Sequence, residues 1–246
     1  DNARVIKGQV LLDGQDLLTM DDGTLRDYRW RRISMIFQAA MNSLDPVHRV
    51  GDQIIEALEA HDMFTTMTEA RETVARLFRL VGLDPQLTDR HPHEFSGGMR
   101  QRAVIAMALA CQPDVIIADE PTTALDVIVQ DRILRQLKEI QHDLNMSMIY
   151  ITHDIAVVAE VTDRIGVMYA GKLVEIGSTA QVFENPIHPY TKALLSVFPS
   201  IWGEKRPLAT LGGEPPNLVE PPPGCRFHPR CPYATDVCQR EEPPIV

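Results

Sequence analysis

Two kinds of hydrophobic pattern alternate along this chain of 246 residues. Short apolar runs of the kind that buried parallel strands need occur at 33–37, 115–118 and 147–151. Segments with apolar residues at three- and four-residue spacing predict amphipathic helices at 50–61, 68–83 and 127–143. Strands that alternate with helices in this way predict an α/β fold built on a parallel sheet.

The two ends of the chain carry weaker patterns. Residues 8–14 are bounded by glycines, and the alternation of side chains between them predicts one short strand. Residues 25–32 predict a short basic helix. After the third apolar run, 163–168 and 172–177 predict a hairpin, and Ser178 caps a short helix that ends at Glu184. A further short helix is expected to end near Val197.

The segment 95–126 contains most of the residues that point to a chemical function. Ser96, Gly97 and Gly98 open an apolar-striped helix, where free backbone N–H groups and the helix dipole favour an anion such as phosphate. The apolar run at 115–118 then delivers Asp119 and Glu120 to the end of a buried strand, the place where open α/β sheets bind ligands.

An apolar strand that ends in Asp-Glu is the arrangement that nucleotide hydrolases use. The Asp holds Mg²⁺, directly or through water, and the Glu polarises an attacking water. The alternative, a buried strand that happens to end in two surface acids, is disfavoured by the neighbouring serine-glycine-glycine run, Pro121 and the run at 124–126.

Together these residues resemble the ATPase subunit of ATP-binding cassette (ABC) transporters. Residues 96–102 resemble the family signature, 115–120 the Walker B strand, and 124–126 the D-loop. Met99 stands where many members carry Gln, a departure that leaves the serine and the two glycines intact.

The resemblance implies a role for each motif residue. Asp119 would hold the Mg²⁺ of bound ATP, and Glu120 would act on the attacking water. Gln38, at the end of the first apolar run, would be the Q-loop glutamine that reaches Mg²⁺ and this water. His153 would be the switch-loop histidine that bonds the γ-phosphate. The implied nucleotide contacts from the signature and D-loop are Ser96, Gly97, Gly98, Gln101 and Asp126.

It also implies a domain organisation. A P-loop NTPase-type ABC ATPase core would comprise 1–39 and 96–185, with a helical subdomain inserted at 40–95 and a Pro/Cys-rich extension at 186–246. The His-Pro-Tyr-Thr run at 188–191, followed by that tail, resembles the dipeptide/oligopeptide/nickel importer ATPases.

The implied partners are those of an importer. They are a second ATPase subunit, two transmembrane permease subunits and, indirectly, an extracytoplasmic substrate-binding protein. The chain would lie peripherally on the cytoplasmic face of the inner or plasma membrane. The cargo is not readable, because this subunit does not touch it.

Composition narrows the choice of function. The formal net charge of −10 argues against a nucleic-acid surface, which needs clustered Lys and Arg. No apolar run approaches the ~18 residues of a membrane span, so membrane association would be peripheral. Two alternatives stay open: a soluble ABC ATPase that acts on nucleic acid or ribosomes, and a non-catalytic remnant with a metal-binding tail.

The tail, residues 186–246, differs in composition from the rest of the chain. Residues 186–246 hold 13 of the 18 prolines and predict little regular structure. Cys225, Cys231 and Cys238 cluster there, where a reducing cytosol disfavours disulfides. A [4Fe–4S] cluster, Zn²⁺ bound by the three cysteines and His228, and unliganded thiols all remain open. Cys111 is expected to be a buried small hydrophobe.

A phosphate-binding P-loop, G-x-x-x-x-G-K-[ST], does not occur in these residues. The family pattern places it upstream of residue 1, together with a central strand and a covering helix. We therefore expect the remaining sheet to expose an edge and apolar surface. We also expect these 246 residues alone to be poorly stable and unable to bind ATP normally.

Overall fold

The computed structural model describes residues 5–38, 42–123, 125–196 and 212–246, and the chain divides into two compact units. The first unit comprises Asp1–His153 and the second Asp154–Val246. The predicted boundary between residues 39 and 40 and residues 197–211 of the predicted extension lie outside the described residues. The predicted division into core, helical subdomain and extension stays a prediction.

A small hairpin opens the first unit. Strand β1 (Leu11–Leu12) pairs antiparallel with β2 (Gln15–Asp16), so the strand predicted over 8–14 is present but covers two residues, and its partner β2 was not predicted. The chain reverses at Asp13 and Gly14, which have φ values of 50° and 80°. Asp-Gly at these positive φ values is a common turn between two short strands.

The central sheet of this unit is parallel. Its strands are β3 (Ile33–Ile36), β4 (Val115–Asp119) and β5 (Ser147–Ile151), in the order β3-β4-β5. Ile36 lies opposite Ala118, and Asp119 lies opposite Ile151, so the carboxyl ends of the strands share one edge. In the described part of the chain β5 pairs only with β4, and its Ile149 is 52% exposed. The apolar surface expected at an open sheet edge is therefore observed on β5.

Five helices and three short 3₁₀ segments complete the described part of the first unit. The α-helices are α1 (Asp22–Tyr28), α2 (Val50–Glu59), α3 (Met67–Leu80), α4 (Gly97–Ala108) and α5 (Val127–Asp143). The 3₁₀ segments are Leu17–Thr19, Pro85–Asp89 and Pro92–Glu94.

The starts of these helices follow their capping residues. Asp21 accepts the Thr24 N–H at 2.9 Å, so α1 begins three residues earlier than the predicted helix at 25–32 and ends at Tyr28. Thr66, Ser96 and Asp126 cap α3, α4 and α5 in the same way.

The core lies where α2, α3 and α4 pack together and against the sheet. Phe78, Ile36 and Ile116 are fully buried there. Half of the residues of α4 are buried and the rest are partly buried, which suits a helix packed between a sheet and other helices. Cys111, just beyond α4, is 4% exposed, and burial raises the pKa of its thiol to about 11. The expectation that Cys111 is a buried small hydrophobe is confirmed.

The second unit is built on an antiparallel hairpin. Strands β6 (Arg164–Tyr169) and β7 (Lys172–Ser178) form it, as predicted, with α6 (Ile155–Val161) before them. Helices α7 (Thr179–Glu184) and α8 (Pro189–Ser196) follow. Between 212 and 246 the regular structure consists of two 3₁₀ turns, His228–Arg230 and Asp236–Gln239, in agreement with the proline-rich composition. None of the helices in the described parts of the chain combines the length and apolar character that a bilayer crossing needs.

A buried carboxylate joins the hairpin to the His-Pro-Tyr-Thr run. Glu175 on β7 is only 3% exposed and accepts the backbone N–H groups of Ile187, at 2.8 Å, and His188, at 3.0 Å. Next to it, the rings of Tyr169, Tyr190 and Phe227 lie with centroids 4.6 to 5.5 Å apart. The extension is thereby packed on the hairpin by charge-assisted hydrogen bonds and by aromatic contacts.

Candidate active site

Three predicted site residues converge just beyond the carboxyl ends of the parallel strands. Glu120 Oε2 accepts a hydrogen bond from Gln38 Nε2 at 2.8 Å, and Glu120 Oε1 lies 2.8 Å from His153 Nδ1. Gln38 is separated from β3 by one residue, Glu120 follows β4 directly, and His153 is separated from β5 by one residue. The parallel topology therefore gathers an amide, a carboxylate and an imidazole at one place.

The backbone at Glu120 fixes the direction of its side chain. Its N–H donates to the carbonyl oxygen of Ile151 at 2.8 Å, which continues the β4–β5 ladder by one residue. Its φ of 46° lies in the left-handed region, which is uncommon for a residue with a side chain. Such backbone strain costs on the order of 1–3 kcal/mol and is concentrated at functional sites.

Hydrogen bonding keeps the Glu120 carboxyl group ionised. The bond from His153, followed by that from the Thr123 hydroxyl at 2.9 Å, lowers the pKa of Glu120 below its ordinary value. Since a carboxylate only accepts, His153 carries its proton on Nδ1 in this arrangement. The Glu120 side chain is 19% exposed and that of His153 is 81% exposed, so the imidazole remains open to a ligand.

Thr123 is the member of this group that sequence reasoning missed. Its hydroxyl donates to the same Glu120 oxygen that the Gln38 amide contacts. The signal was present, because a Thr three residues after an acid in a Pro-containing turn can close a local side-chain hydrogen bond.

The Mg²⁺ contact predicted for Asp119 stays a prediction. Asp119 is the last residue of β4, beside the Glu120 cluster. Among the described residues, no three His, Cys, Asp or Glu side chains are grouped so as to hold a metal. Mg²⁺ at nucleotide sites takes only one or two carboxylates together with phosphate oxygens, so the oxygen donors present here fit MgATP.

The signature residues open α4 as predicted. Ser96 is the N-cap, and its Oγ accepts the Met99 N–H at 3.3 Å. A Cβ on Gly98 would lie 2.7 Å from Cγ1 of Val129, so this glycine permits close packing of α4 on α5. Asp126 caps α5 and accepts the Val129 N–H at 3.0 Å. The signature and the D-loop are therefore neighbours in the first unit.

One predicted site residue stands apart from this surface. Gln101 is only 3% exposed, so its side chain lies on the buried side of α4. Ala124, the first residue of the predicted D-loop, lies outside the described residues. The nucleotide contacts predicted for the signature and for the D-loop stay predictions.

The three tail cysteines lie in one short loop as free thiols. The Cys225 N–H donates to the Cys238 carbonyl oxygen at 2.9 Å, which closes the loop. A Cβ at Gly224 would lie 2.5 Å from that oxygen, so a residue without a side chain is needed there. Burial raises the pKa of Cys231, and the two neighbouring thiols raise it further. In the parts of the chain that the structure describes, these thiols form no group able to hold a metal.

Comparison with known families places the chain. The profile of the family described as ABC transporter matches residues 1–123. That of the oligopeptide/dipeptide transporter C-terminal region matches residues 174–238. This chain belongs to the ABC transporter family. The predicted family, the α/β class and the ATPase character are therefore confirmed.

Named relatives agree along almost the whole chain. The dipeptide transport ATP-binding protein DppD of Bacillus subtilis is 49% identical over 98% of this chain and 72% of its own length. The DppD protein of Caldanaerobacter subterraneus is 44% identical over 98% of this chain and 74% of its own length. The oligopeptide transport ATP-binding protein OppD of Escherichia coli is 45% identical over 97% of this chain and 71% of its own length.

Solved structures give the same assignment. The ATP-binding cassette MJ0796, in a dimeric post-hydrolysis state with ADP and phosphate, superimposes with a TM-score of 0.63 and 26% identity, covering 71% of this chain and 74% of that chain. The structure of cbiO1 from Clostridium perfringens, part of the ABC transporter complex cbiONQ, superimposes with a TM-score of 0.63 and 30% identity, covering 73% of this chain and 69% of that chain.

Proposed function

We propose that this chain is the ATP-hydrolysing subunit of an importer for dipeptides or oligopeptides. The observation that carries the hydrolytic part is the Glu120 carboxylate, which Gln38, Thr123 and His153 hold at the carboxyl edge of the sheet. The peptide part is supported by the match at 174–238 and by the names of the DppD and OppD relatives.

Hydrolysis requires a base beside the γ-phosphate. Glu120 is the group to receive a proton from the attacking water, because its carboxylate is ionised and fixed in direction. Gln38 and His153 each contact one carboxylate oxygen and keep the group directed towards the water. Asp119 would hold the Mg²⁺ of the nucleotide, which supplies charge neutralisation for the phosphates.

The second half of each site would come from another cassette. Ser96, Gly97 and Gly98 present N–H groups at the start of α4, and these would close on the γ-phosphate bound by the partner. Asp126 lies beside this helix start and would couple the two sites of a head-to-tail dimer. The dimeric cassette MJ0796, bound to ADP and phosphate, supports this arrangement.

The remaining partners follow from the importer assignment. The helical segment 40–95 would dock on one of two permease subunits, which in turn would meet an extracytoplasmic substrate-binding protein. Phe37 and Val47, which flank the Q-loop, are 59% and 76% exposed and would contribute apolar contacts to that docking surface. The chain would then lie on the cytoplasmic face of the membrane, against the permease.

The Glu120→Gln exchange in the assembled transporter tests the hydrolytic assignment. Turnover of MgATP should be abolished while ATP binding is retained, because Gln keeps the shape of Glu and cannot accept the proton. The matched control is Glu139→Gln on the exposed side of α5, which should turn over normally. Turnover near that of the wild type in Glu120→Gln would refute the base assignment. Uptake of labelled dipeptides and longer peptides separates the two classes of cargo.

A metal at the cysteine cluster is a separate part of the proposal. An iron–sulfur cluster or Zn²⁺ at Cys225, Cys231 and Cys238 is supported by their spacing alone. Elemental analysis and the visible spectrum of anaerobically purified protein, beside a variant with all three cysteines replaced by Ser, decide between iron, zinc and free thiols. No step of the hydrolysis depends on that outcome.

A further inference from the structure

The turn between α1 and β3 contacts the C-terminal ends of two helices that are distant in the sequence. The Trp30 indole Nε1–H donates to the carbonyl oxygen of Met107, in the last turn of α4, at 2.9 Å. The Arg31 guanidinium donates to the carbonyl oxygen of His61, just beyond α2, at 2.8 Å. Carbonyl groups at a helix C-terminus lack their regular intrahelical donors, so side-chain donors stabilise both helix ends.

The contacts around these two hydrogen bonds are close. The Trp30 ring meets the His61 ring edge-on, with centroids 6.2 Å apart, and His61 is only 8% exposed. Burial lowers the pKa of His61, and the positive charge of Arg31 lowers it further, so the imidazole stays neutral beside the guanidinium. The Cys111 thiol lies 3.8 Å from the carbonyl oxygen of Ala57 and ties the end of α4 to α2.

Trp30 adopts an unusual backbone conformation to make this contact. Its φ is 67°, and its N–H closes a tight turn onto the carbonyl oxygen of Ile33 at 2.8 Å. A bulky residue in the left-handed region carries strain of roughly 1–3 kcal/mol, which persists only where the surroundings determine it. The turn thus directs an indole away from the sheet and towards α4.

We propose that Trp30 and Arg31 are positioning residues that fix the direction of α4, and with it the location of Ser96, relative to β3, the strand that precedes Gln38. The pair is called the Trp30–Arg31 clamp below. Ser96 and Met107 lie at opposite ends of one helix, separated by about 16 Å at 1.5 Å per residue. A tilt of about 10° about the clamped end moves the serine by about 3 Å, enough to break a hydrogen bond to phosphate.

The two ends of α4 are held differently. At the Met107 end the contact is a directional hydrogen bond, whereas at the Gly98 end the contact with Val129 is apolar and can slide. Near the middle of α4, Arg102 also donates to the carbonyl oxygen of Val81 at 2.7 Å, so the clamp fixes the C-terminal end of a helix that α3 holds at its centre. β3 extends from the clamp to Gln38, whose amide contacts Glu120. The clamp thus fixes the position of α4, which would contact the nucleotide of a neighbouring cassette, relative to Glu120, the base of this chain's own site.

The test uses the assembled transporter and rests on its proposed ATP hydrolysis. Trp30→Phe keeps a ring and removes the N–H donor, Arg31→Met removes the guanidinium, and Arg31→Lys restores a donor. Arg135→Met, which breaks an exposed ion pair with Asp131 on α5, is the matched control. KM and kcat for MgATP, the thermal midpoint, and amide hydrogen exchange at 97–100 are measured for each variant.

The expected result is a change in kcat alone. The Trp30→Phe/Arg31→Met double variant should lose at least fivefold in kcat, with KM within twofold, and exchange at 97–100 should become faster. Arg31→Lys should recover at least half of the loss caused by Arg31→Met, which a merely structural role would not predict. A double variant with the kcat and exchange of the control would overturn the proposal.

Two further outcomes are also decisive. If kcat falls and KM rises in proportion to the fall in thermal midpoint, the clamp only stabilises the fold and the proposal is wrong. If the unmodified transporter does not hydrolyse MgATP, the proposed function fails, and the exchange rates at 97–100 alone then decide whether the clamp holds α4.

Discussion

The buried Glu175 carboxylate offers a quantitative test of how the extension is attached. Glu175→Ala removes the acceptor of the Ile187 and His188 N–H groups, and both would be left in a site where Glu175 itself is only 3% exposed. An unsatisfied buried donor costs roughly 1–3 kcal/mol. Allowing for partial access of water, we expect the free energy of unfolding to fall by about 3 kcal/mol.

The matched control is a second Glu→Ala exchange in the same unit. Glu242 forms an ion pair with Lys172 at 3.0 Å in which both side chains are about half exposed. Exposed pairs of this kind contribute about 0–1 kcal/mol, so Glu242→Ala should change stability by less than 1 kcal/mol.

The assay combines urea unfolding with amide hydrogen exchange. In Glu175→Ala the urea midpoint should fall, and the protection of the Ile187 and His188 amides should be lost first. In Glu242→Ala both amides should remain protected. A Glu175→Ala variant as stable and as protected as Glu242→Ala would refute the reasoning, because the carboxylate would then not hold the extension.

Three further predictions concern other sites. Gly98→Ala should cost about 1–3 kcal/mol, because its Cβ would lie 2.7 Å from Val129, and thermal unfolding should show rescue by Val129→Ala. His153→Ala removes the largest cause of the lowered pKa of Glu120, so the acidic limb of the kcat–pH profile should move to higher pH. Burial lowers the pKa of His188 below 6.5, so stability should fall as pH drops below about 6.5, and His188→Gln should flatten this dependence.

Each of these has a contradicting outcome. An unchanged thermal midpoint in Gly98→Ala would mean that the two helices separate at no cost. An acidic limb that stays in place in His153→Ala would mean that the histidine does not set the ionisation of Glu120. The sign for His188 follows because the unfolded chain binds a proton that the folded chain excludes, so stability that rises towards acid would contradict it.

Periodicity was sufficient to predict the elements that form the first unit. The strands at 33–36, 115–119 and 147–151 and the helices from 50, 67 and 127 have patterns that burial imposes, so they were found within a few residues. The meeting of Gln38, Glu120 and His153 followed from the parallel topology, because all three residues lie at or just beyond strand ends.

What could not be predicted depends on long-range contacts and on local turns. A glutamate within a hairpin strand gives no sign that two backbone N–H groups from a later segment will bury it. The Trp30 contact to a carbonyl 77 residues away has no sequence signal. The turn at Asp13 and Gly14 did have one, since Asp-Gly favours a hairpin turn, but the flanking alternation suggested a single strand.

The hydrogen bond between Gln38 and Glu120 closes a loop of 82 residues, which contains α2, α3 and α4. Closing such a loop costs conformational entropy, which the pairing of β3 with β4 and the packing of the helices on the sheet repay, so local helices should form first. During synthesis, β4 is made more than 80 residues after β3. At 5–20 residues per second this delay is on the order of 4–16 s. Until then β3 lacks the strand with which it pairs in the described part of the chain, so its apolar residues form a segment to which a nascent-chain chaperone can bind.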